Sequence, residues 1–272
     1  MKEPIVNNQA SQTRSGMTRR QLLVAGTGLA ASISFPSEGA TKVNSSNKPS
    51  IVFCHGIWAD GSCFNKVIPA LRADGHDVMA AQYGLDSVKA DVEATIRTFN
   101  RVSGPILLVG HSYGGAVITY AGMDPRVAGL VFIAALCPDE TETAQQQQEK
   151  FPQTDIFNHV EVADGRVWLK KDGPKAFAGD LSEEEQGLVY STHFAPQADL
   201  FTHKLDGNAW KVKPSTYILT TEDHTVHPEL QRTYAKRMGA TIVEVKSSHV
   251  PMLSHPSEVL AAIRKAAAAI TA

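Results

Sequence analysis

Short apolar runs alternate with longer amphipathic stretches along most of this chain. The runs Ile51–Cys54 and Ile106–Val109 are uninterrupted apolar segments, which is typical of strands that are buried on both faces. Between them, apolar residues recur at helical spacing, as at Val88, Val92 and Ile96. This alternation predicts a mostly parallel β-sheet with α-helices on both of its faces.

The pattern predicts a sheet of about six strands. The predicted strands cover residues 51–54, 77–82, 105–110, 129–134, 215–220 and 241–246. The predicted helices cover residues 63–72, 86–102, 114–122, 228–238 and 256–270. In parallel sheets of this kind, ligands bind at the carboxyl ends of the strands, so functional residues are expected in the loops that follow them.

The alternation fails between residues 138 and 213, which predicts a cap inserted over the strand ends. Within it, helices are predicted at 141–150 and 181–190 and a strand at 166–169. The cap is rich in large apolar side chains that are candidates for the roof of a pocket, namely Phe151, Phe157, Trp168, Phe177, Phe194, Phe201 and Trp210. We expect about one in three of them to contact a ligand, because pockets use only part of the available apolar surface.

The N-terminal region, residues 1–40, has the features of an export signal. Arg19 and Arg20 precede the apolar stretch Leu22–Ile33, which is too short to span a membrane. Paired arginines in this position are typical of the twin-arginine class, so we predict a protein exported to the periplasm or the medium, without a stable membrane anchor. The alternative is an uncleaved N-terminal arm. Residues 41–50 are polar and predict a linker, which leaves 51–272 as the folded domain.

The amino-acid composition mainly argues against certain kinds of partner and site. The chain has 272 residues, of which 43% are apolar, and a net charge of −2, so nothing favours a nucleic-acid partner. Its ten histidines include no close-spaced ligand set, and we expect neither a metal nor a cofactor. The three cysteines are not a disulfide framework, although a Cys54–Cys63 bridge stays open. The oligomeric state is undetermined.

The predicted strand at 105–110 ends in Gly110-His111-Ser112-Tyr113-Gly114, a G-x-S-x-G sequence followed by a predicted helix. Strand, sharp turn and helix are the context in which this motif presents a nucleophilic serine. We therefore interpret Ser112 as a nucleophile. The alternative is a glycine-bracketed surface turn with an incidental serine.

A nucleophilic serine needs a base, and the base needs a group that orients it. His249, after the last predicted strand, is the candidate base, and Asp223, after the 215–220 strand, is the candidate acid. The order Ser112, Asp223, His249 is the one expected of an α/β-hydrolase. Glu222 competes for the acid role, and His111 is the alternative base.

Two backbone N–H groups are expected to stabilise the oxyanion that forms during acyl transfer. The residue after the nucleophile, Tyr113, supplies one, and Ile57 is the preferred source of the other. Trp58 is the second choice as donor, and its ring is a candidate for lining the substrate pocket. Cys137, which follows the 129–134 strand at the same sheet edge, is also predicted to contact substrate.

Over residues 50–270 the chain resembles a compact group of α/β-hydrolases that includes plant methylesterases, hydroxynitrile lyases and bacterial esterases. The motifs that carry the resemblance are His55-Gly56, Gly110–Gly115, Asp223 and Ser248-His249. The resemblance implies the α/β-hydrolase fold with an inserted cap. The lyases of this group have a lysine directly after the catalytic histidine, where this chain has Val250, which argues against cyanohydrin cleavage.

Together these features predict a serine hydrolase that cleaves carboxylic esters of small to medium, mostly apolar substrates through an acyl-enzyme. Two alternatives stay open. One is a ligand-binding protein on an inactive hydrolase scaffold, because fold alone does not fix function. The other is a cofactor-free haloperoxidase or perhydrolase, which would use the same triad.

Overall fold

The structure is a computed structural model that describes residues 48–204 and 206–270. The predicted export signal at residues 1–40 lies outside the described residues. So does the predicted linker, apart from its last three positions. In the described ranges, no helix is both long enough and apolar enough to cross a membrane.

The described residues form eight strands, six of which make one parallel sheet. The strands are β1 Ser50–Cys54, β2 Val78–Ala81, β3 Ile106–His111, β4 Val127–Ile133, β5 Val160–Ala163, β6 Arg166–Leu169, β7 Ser215–Thr220 and β8 Thr241–Val245. The order across the sheet is β2-β1-β3-β4-β7-β8, and every neighbouring pair is parallel. The predicted mostly parallel, six-stranded sheet is confirmed.

Helices cover the sheet. They are α1 Ile68–Ala73, α2 Val88–Thr98, α3 Gly114–Ala121, α4 Ala144–Gln148, α5 Gly173–Phe177, α6 Glu183–Thr192, α7 Pro228–Arg237, α8 Pro251–Ser254 and α9 Pro256–Ala269. Every residue of β1 and of β3 is buried, which is why these strands carry continuous apolar runs instead of alternating ones. Contacts join α2 to α3 and α1 to α9, in layers that bury these central strands.

Two local expectations differ from the structure. The predicted helix at 63–72 is instead a 3-10 turn at Gly61–Phe64 followed by the short α1. Pro69 lies in the first turn of α1, where its missing N–H is tolerated, whereas further inside a helix it would break the hydrogen-bond ladder. The helix α8, which begins two residues after the candidate base, was not predicted.

The Cys54–Cys63 bridge that the sequence left open is not formed. Both cysteines are free thiols in the structure.

Between β4 and β7 the chain leaves the sheet and forms the cap segment, residues 138–213. It contains α4, the antiparallel hairpin β5–β6, α5 and α6. The predicted helices at 141–150 and 181–190 correspond to α4 and α6, and the predicted strand at 166–169 is β6, whereas β5 and α5 were not predicted. The helices α4 and α6 each begin with a capping box, formed by Thr143 with Gln146 and by Ser182 with Glu185. These local signals explain why both helices could be recognised in the sequence.

Candidate active site

Ser112 lies at the end of β3 in a strained backbone conformation, with a φ angle of 54°. A non-glycine residue rarely adopts such a positive φ, and here the surroundings hold it. The Ser112 N–H donates to the carbonyl oxygen of Ile133 at 3.0 Å. Its own carbonyl oxygen accepts hydrogen bonds from the N–H groups of Gly115 at 2.9 Å and Leu136 at 3.0 Å. The turn is thus fixed by backbone bonds to β4 and to the residues after it.

Glycines make this turn possible because neighbouring backbone passes very close to it. A Cβ on Gly56 would lie 2.7 Å from the Cβ of Ser112. A Cβ on Gly114 would collide with the carbonyl oxygen of Cys54, and one on Gly115 with that of Leu136. The loop after β1 therefore lies directly against Ser112 at the carboxyl edge of the sheet.

His249 and Asp223 form a hydrogen-bonded pair at the same edge. His249 Nδ1 lies 2.7 Å from Asp223 Oδ2, and both side chains are completely buried. The other ring nitrogen, His249 Nε2, is buried without a hydrogen-bond partner in the part of the chain that the structure describes. This leaves an acid-supported imidazole with its second nitrogen unused. The competing acid Glu222 instead pairs with Lys246 at 3.4 Å, half exposed.

Four further donors hold the Asp223 carboxylate. Asp223 lies in the turn before α7, where Oδ1 accepts hydrogen bonds from the backbone N–H groups of Thr225 at 2.7 Å and Val226 at 3.0 Å. Oδ2 accepts the hydroxyl of Thr220 at 2.9 Å and the side-chain amide of Gln231 at 2.8 Å. With His249 Nδ1, these four donors fix the orientation of the Asp223 carboxylate.

His111 is not placed as a base. Its Nε2–H donates to the backbone carbonyl oxygen of His249 at 2.8 Å, and the two rings lie 4.8 Å apart. Burial, together with the neighbouring His249, holds the pKa of His111 well below its usual value, so the ring stays neutral. His111 therefore supports the loop that carries His249.

The backbone N–H groups of Ile57 and Tyr113 are available for an oxyanion. Within the described ranges neither N–H has a backbone acceptor. Trp58 is excluded as a donor, because its N–H already donates to the carbonyl oxygen of Phe194 at 3.1 Å. Its indole N–H is also used, by the carbonyl oxygen of Val167 at 2.8 Å. The first choice from the sequence, Ile57, is the one with a free amide.

Buried polar groups that the sequence analysis missed lie behind these two amides. The Tyr113 hydroxyl donates to Asp91 Oδ2 at 2.7 Å, and burial raises the pKa of Asp91 to about 6. The Tyr83 hydroxyl donates to the carbonyl oxygen of His55 at 2.5 Å, and their rings stack at 4.0 Å. Asp91 and the exposed Glu93 both lie in the amphipathic stretch of α2, so no local signal distinguished Asp91 from a solvent-facing residue.

A cavity of about 570 Å³ opens beside Ser112 between the sheet edge and the cap segment. Its apolar lining comprises Ile57, Trp58, Leu136, Phe151, Pro152, Ile156, Phe157, Val160, Val162, Val167, Pro196, Ala198, Phe201, Val226 and Leu230. Its polar lining, apart from Ser112, comprises Gln145, Gln148, Glu149, Gln153, Thr154, Thr225 and His227. The cavity can therefore hold an apolar molecule against Ser112 with polar groups at part of its wall.

Of the two residues predicted to contact substrate, the structure places one in the cavity lining. Trp58 lines the cavity, but Cys137 does not. Cys137 is fully buried, with its thiol turned to the carbonyl oxygen of Ala135 at 3.7 Å, and its neighbour Leu136 lines the wall instead. Of the seven aromatic roof candidates, Phe151, Phe157 and Phe201 line the cavity.

Phe177 has a different role from the predicted roof. Its ring lies 5.7 Å from that of Trp58 and 5.2 Å from that of His249, so it packs from the cap segment against both of these rings. Among the described residues, no group of three or more histidine, cysteine or acidic side chains is arranged to hold a metal ion.

Comparisons with known proteins agree with this geometry. Residues 51–263 match the alpha/beta hydrolase family. Methylesterase 8 of Arabidopsis thaliana is 25% identical over 262 residues, covering 80% of this chain and 89% of the relative. A carbendazim hydrolyzing esterase of Nocardioides sp. (strain SG-4G) is 25% identical over 232 residues, covering 76% and 95%. The crystal structure of a pyrethroid hydrolase from Sphingobium faniae JZ-2 superposes with a TM-score of 0.70 at 24% identity, over 81% of this chain and 98% of that one.

Proposed function

This chain is a carboxylic ester hydrolase of the alpha/beta hydrolase family, and we propose that it works through an acyl-enzyme formed on Ser112. His249 is the general base and acid, and Asp223 orients and supports it. The observation that carries the proposal is the buried His249–Asp223 pair at 2.7 Å, whose free Nε2 belongs to the same sheet edge as Ser112. The chemistry follows from these positions.

In the first half-reaction the Ser112 hydroxyl attacks the ester carbonyl carbon while His249 Nε2 takes its proton. The Asp223 carboxylate stabilises the imidazolium that forms, and the tetrahedral intermediate collapses as His249 protonates the departing alcohol. In the second half-reaction His249 takes a proton from water, which attacks the acyl-enzyme. The acid is released and Ser112 regains its proton.

The negative charge of each tetrahedral intermediate falls on the former carbonyl oxygen. The N–H groups of Ile57 and Tyr113 are the proposed donors to it, and each is worth about 3 kcal/mol of transition-state stabilisation by comparison with measured oxyanion donors. The stacked His55–Tyr83 pair supports the loop that carries Ile57. Burial lowers the pKa of His55 to about 4, so this support stays uncharged during turnover.

The proposed substrates are small to medium, mostly apolar esters. The support is the cavity of about 570 Å³, whose walls are chiefly aliphatic and aromatic. The relatives point the same way, since their names describe methylesterases, a carbendazim hydrolyzing esterase and a pyrethroid hydrolase. The intact triad weighs against a pure binding protein. Val250, at the position after His249, is buried and apolar, which supports hydrolysis over a lyase reaction that needs a lysine there.

A substrate panel tests the proposal. Wild type and Ser112→Ala are assayed against p-nitrophenyl esters of increasing acyl length, followed by amides and lactones. We expect ester turnover by wild type, with kcat/KM rising with apolar acyl length until the cavity is filled, and a loss of about a thousandfold or more in Ser112→Ala. Equal turnover by the two proteins would contradict the proposal.

We further propose that the protein is exported. The support is the sequence pattern of Arg19 and Arg20 before a short apolar stretch, followed by a polar linker. The test is cell fractionation of the full-length chain beside a variant with Arg19→Lys and Arg20→Lys. We expect the wild type outside the cytoplasm in shortened form and the variant retained at full length. Retention of both at full length would contradict export.

A further inference from the structure

A carboxylate from the cap segment contacts the loop that carries the proposed base. Asp180 lies between α5 and α6, and its side chain is 22% exposed. Asp180 Oδ2 accepts a hydrogen bond from the backbone N–H of Ser248 at 3.0 Å and from the hydroxyl of Ser247 at 2.8 Å. Asp180 Oδ1 accepts a hydrogen bond from the Ser248 hydroxyl. Three donors, from the two residues directly before His249, therefore converge on one side chain.

The same carboxylate also approaches the chain after the base. The Ser247 hydroxyl lies 2.9 Å from that of Ser254, which lies 3.0 Å from His255 Nδ1. His255 Nδ1 is in turn 3.6 Å from Asp180 Oδ2, so the polar contacts form a ring. Burial opposes ionisation of Asp180, but the hydrogen bonds from Ser248 and Ser247 prevail and hold its pKa below the usual value.

A second cap contact lies beside this ring. Lys66 Nζ donates to Glu185 Oε1 at 2.7 Å and to the carbonyl oxygen of Leu253 at 2.8 Å. Glu185 belongs to the first turn of α6, where it also closes the capping box with Ser182. The cap residues 180–185 are thus linked to the chain on both sides of His249, directly at residues 247–248 and through Lys66 at residue 253.

Besides the cap contacts, two other side chains hold His249, and within the described ranges one set of polar atoms in the loop depends on Asp180 alone. Asp223 holds Nδ1, and His111 holds the backbone carbonyl oxygen. The N–H and hydroxyl of Ser248, one residue before, are held only by Asp180 among the described residues. The Phe177 ring, also from the cap segment, lies 5.2 Å from the imidazole.

We propose that Asp180 is a positioning residue, which fixes the 247–249 loop so that His249 Nε2 is presented to Ser112. The cap segment then does more than roof the pocket, because it sets the geometry of the base. The inference rests on the proposed function, in which His249 is the base. A base displaced by a fraction of an ångström loses proton-transfer efficiency while the substrate cavity stays intact, so the effect belongs to kcat and not to KM.

The test compares full-length Asp180→Ala, Asp180→Asn and Ser248→Ala with wild type. Glu184→Gln is the matched control, because it removes an exposed carboxylate four residues away, in the first turn of α6. Three quantities are measured: steady-state kcat and KM, the rate and stoichiometry of phosphonylation by a fluorophosphonate, and deuterium exchange of peptides that cover residues 246–250. Exchange reports on the loop whether or not the chain turns over ester.

We expect Asp180→Ala to lower kcat and the phosphonylation rate in parallel by about 10- to 100-fold, with KM changed less than about threefold. Labelling stoichiometry should stay at wild-type level, loop exchange should accelerate, and Glu184→Gln should resemble wild type. The double variant Asp180→Ala/Ser248→Ala should have a kcat close to that of Asp180→Ala, because both substitutions remove the same contact between Asp180 and the Ser248 hydroxyl. The milder Asp180→Asn keeps the side-chain shape and covers the case in which the alanine variant does not fold.

Wild-type kcat and wild-type loop exchange in folded Asp180 variants would overturn the proposal. So would a loss that appears as a reduced labelled fraction, since this indicates unfolding and not displacement of the base. If wild type itself is not phosphonylated, the proposed function fails. In that case, faster loop exchange in Asp180→Ala would still show that Asp180 holds the 247–249 loop. The exchange measurement therefore distinguishes failure of the proposed function from failure of the positioning role.

Discussion

Asp91 is a carboxyl group whose ionisation is opposed by its buried surroundings. One oxygen accepts the Tyr113 hydroxyl, whereas Oδ1 has no partner among the described residues. Burial raises its pKa to about 6, and nearby Asp86 acts in the same direction. Burial also raises the pKa of Tyr83 and of Cys54 nearby, so both stay neutral in this range. Asp91 is therefore the group of this cluster that titrates near neutral pH.

A pH-dependent change in stability follows. Because the folded pKa of Asp91 lies above the usual value of 3.8, the folded state binds more protons between about pH 4 and pH 6. The Asp91 contribution therefore favours folding more at pH 5 than at pH 8. Asp91→Asn removes the buried charge, and we expect it to stabilise the protein at pH 8 by about 1.4 kcal/mol relative to its effect at pH 5.

Urea unfolding of wild type and Asp91→Asn at the two pH values measures this difference. Tyr113→Phe is the counterpart, since it removes the hydroxyl that stabilises the ionised carboxylate, and its cost should be larger at pH 8 than at pH 5. A free-energy change of Asp91→Asn that is the same at both pH values would show that Asp91 titrates normally in the fold.

The residues that could be predicted at this scale are those that a short motif marks. Ser112 and Tyr113 follow from G-x-S-x-G, and Ile57 from a glycine after a strand. Asp91, Gln231 and Asp180 could not be predicted, because each is an ordinary polar residue of a helix or loop until distant chain packs against it. Their partners lie 22, 8 and 68 residues away in the sequence.

At the scale of elements, glycines divide into those that the packing requires and those that it does not. Gly114 begins α3 directly against the loop after β1, and a Cβ there would meet the backbone of Cys54 and His55. Gly187 lies inside α6 with nothing within 4 Å of the position of a Cβ. Replacement by alanine should therefore lower the free energy of unfolding at Gly114 and raise it at Gly187.

We expect Gly114→Ala to destabilise the fold by about 2 kcal/mol or more, because backbone cannot yield as a flexible side chain does. Gly187→Ala should stabilise it by about 0.5–1 kcal/mol, since alanine restricts the unfolded chain and favours helix. Chemical denaturation at one pH compares the two variants with wild type. Equal losses of stability in both would contradict the assignment of Gly114 to a close backbone approach.

Strands and helices were predictable where periodicity or a capping pattern was strong. The buried runs of β1 and β3 and the capping box of α6 are such cases. The break between Gly61–Phe64 and α1 was missed, because apolar spacing continues through it although Pro69 restarts the helix. Local pattern gives the number of elements more reliably than their ends.

At the scale of the molecule, the parallel sheet explains why residues far apart in sequence meet. Ser112 follows β3, Asp223 follows β7, and His249 follows β8, so all lie at one edge. That convergence could be predicted from the alternation of strands and helices. The residues that line the cavity could not be predicted, because the lining depends on how the cap segment packs. Four of the seven aromatic residues predicted for its roof do not line the cavity.

The central claim is that Ser112 is a nucleophile activated by His249. Its most direct measurement is the mass of the intact protein after reaction with a fluorophosphonate, followed by identification of the modified peptide. The account predicts one adduct per chain, located on Ser112, absent in Ser112→Ala and formed at least about a hundredfold more slowly in His249→Ala. A folded wild-type protein that gains no adduct, or gains it on another residue, would contradict it.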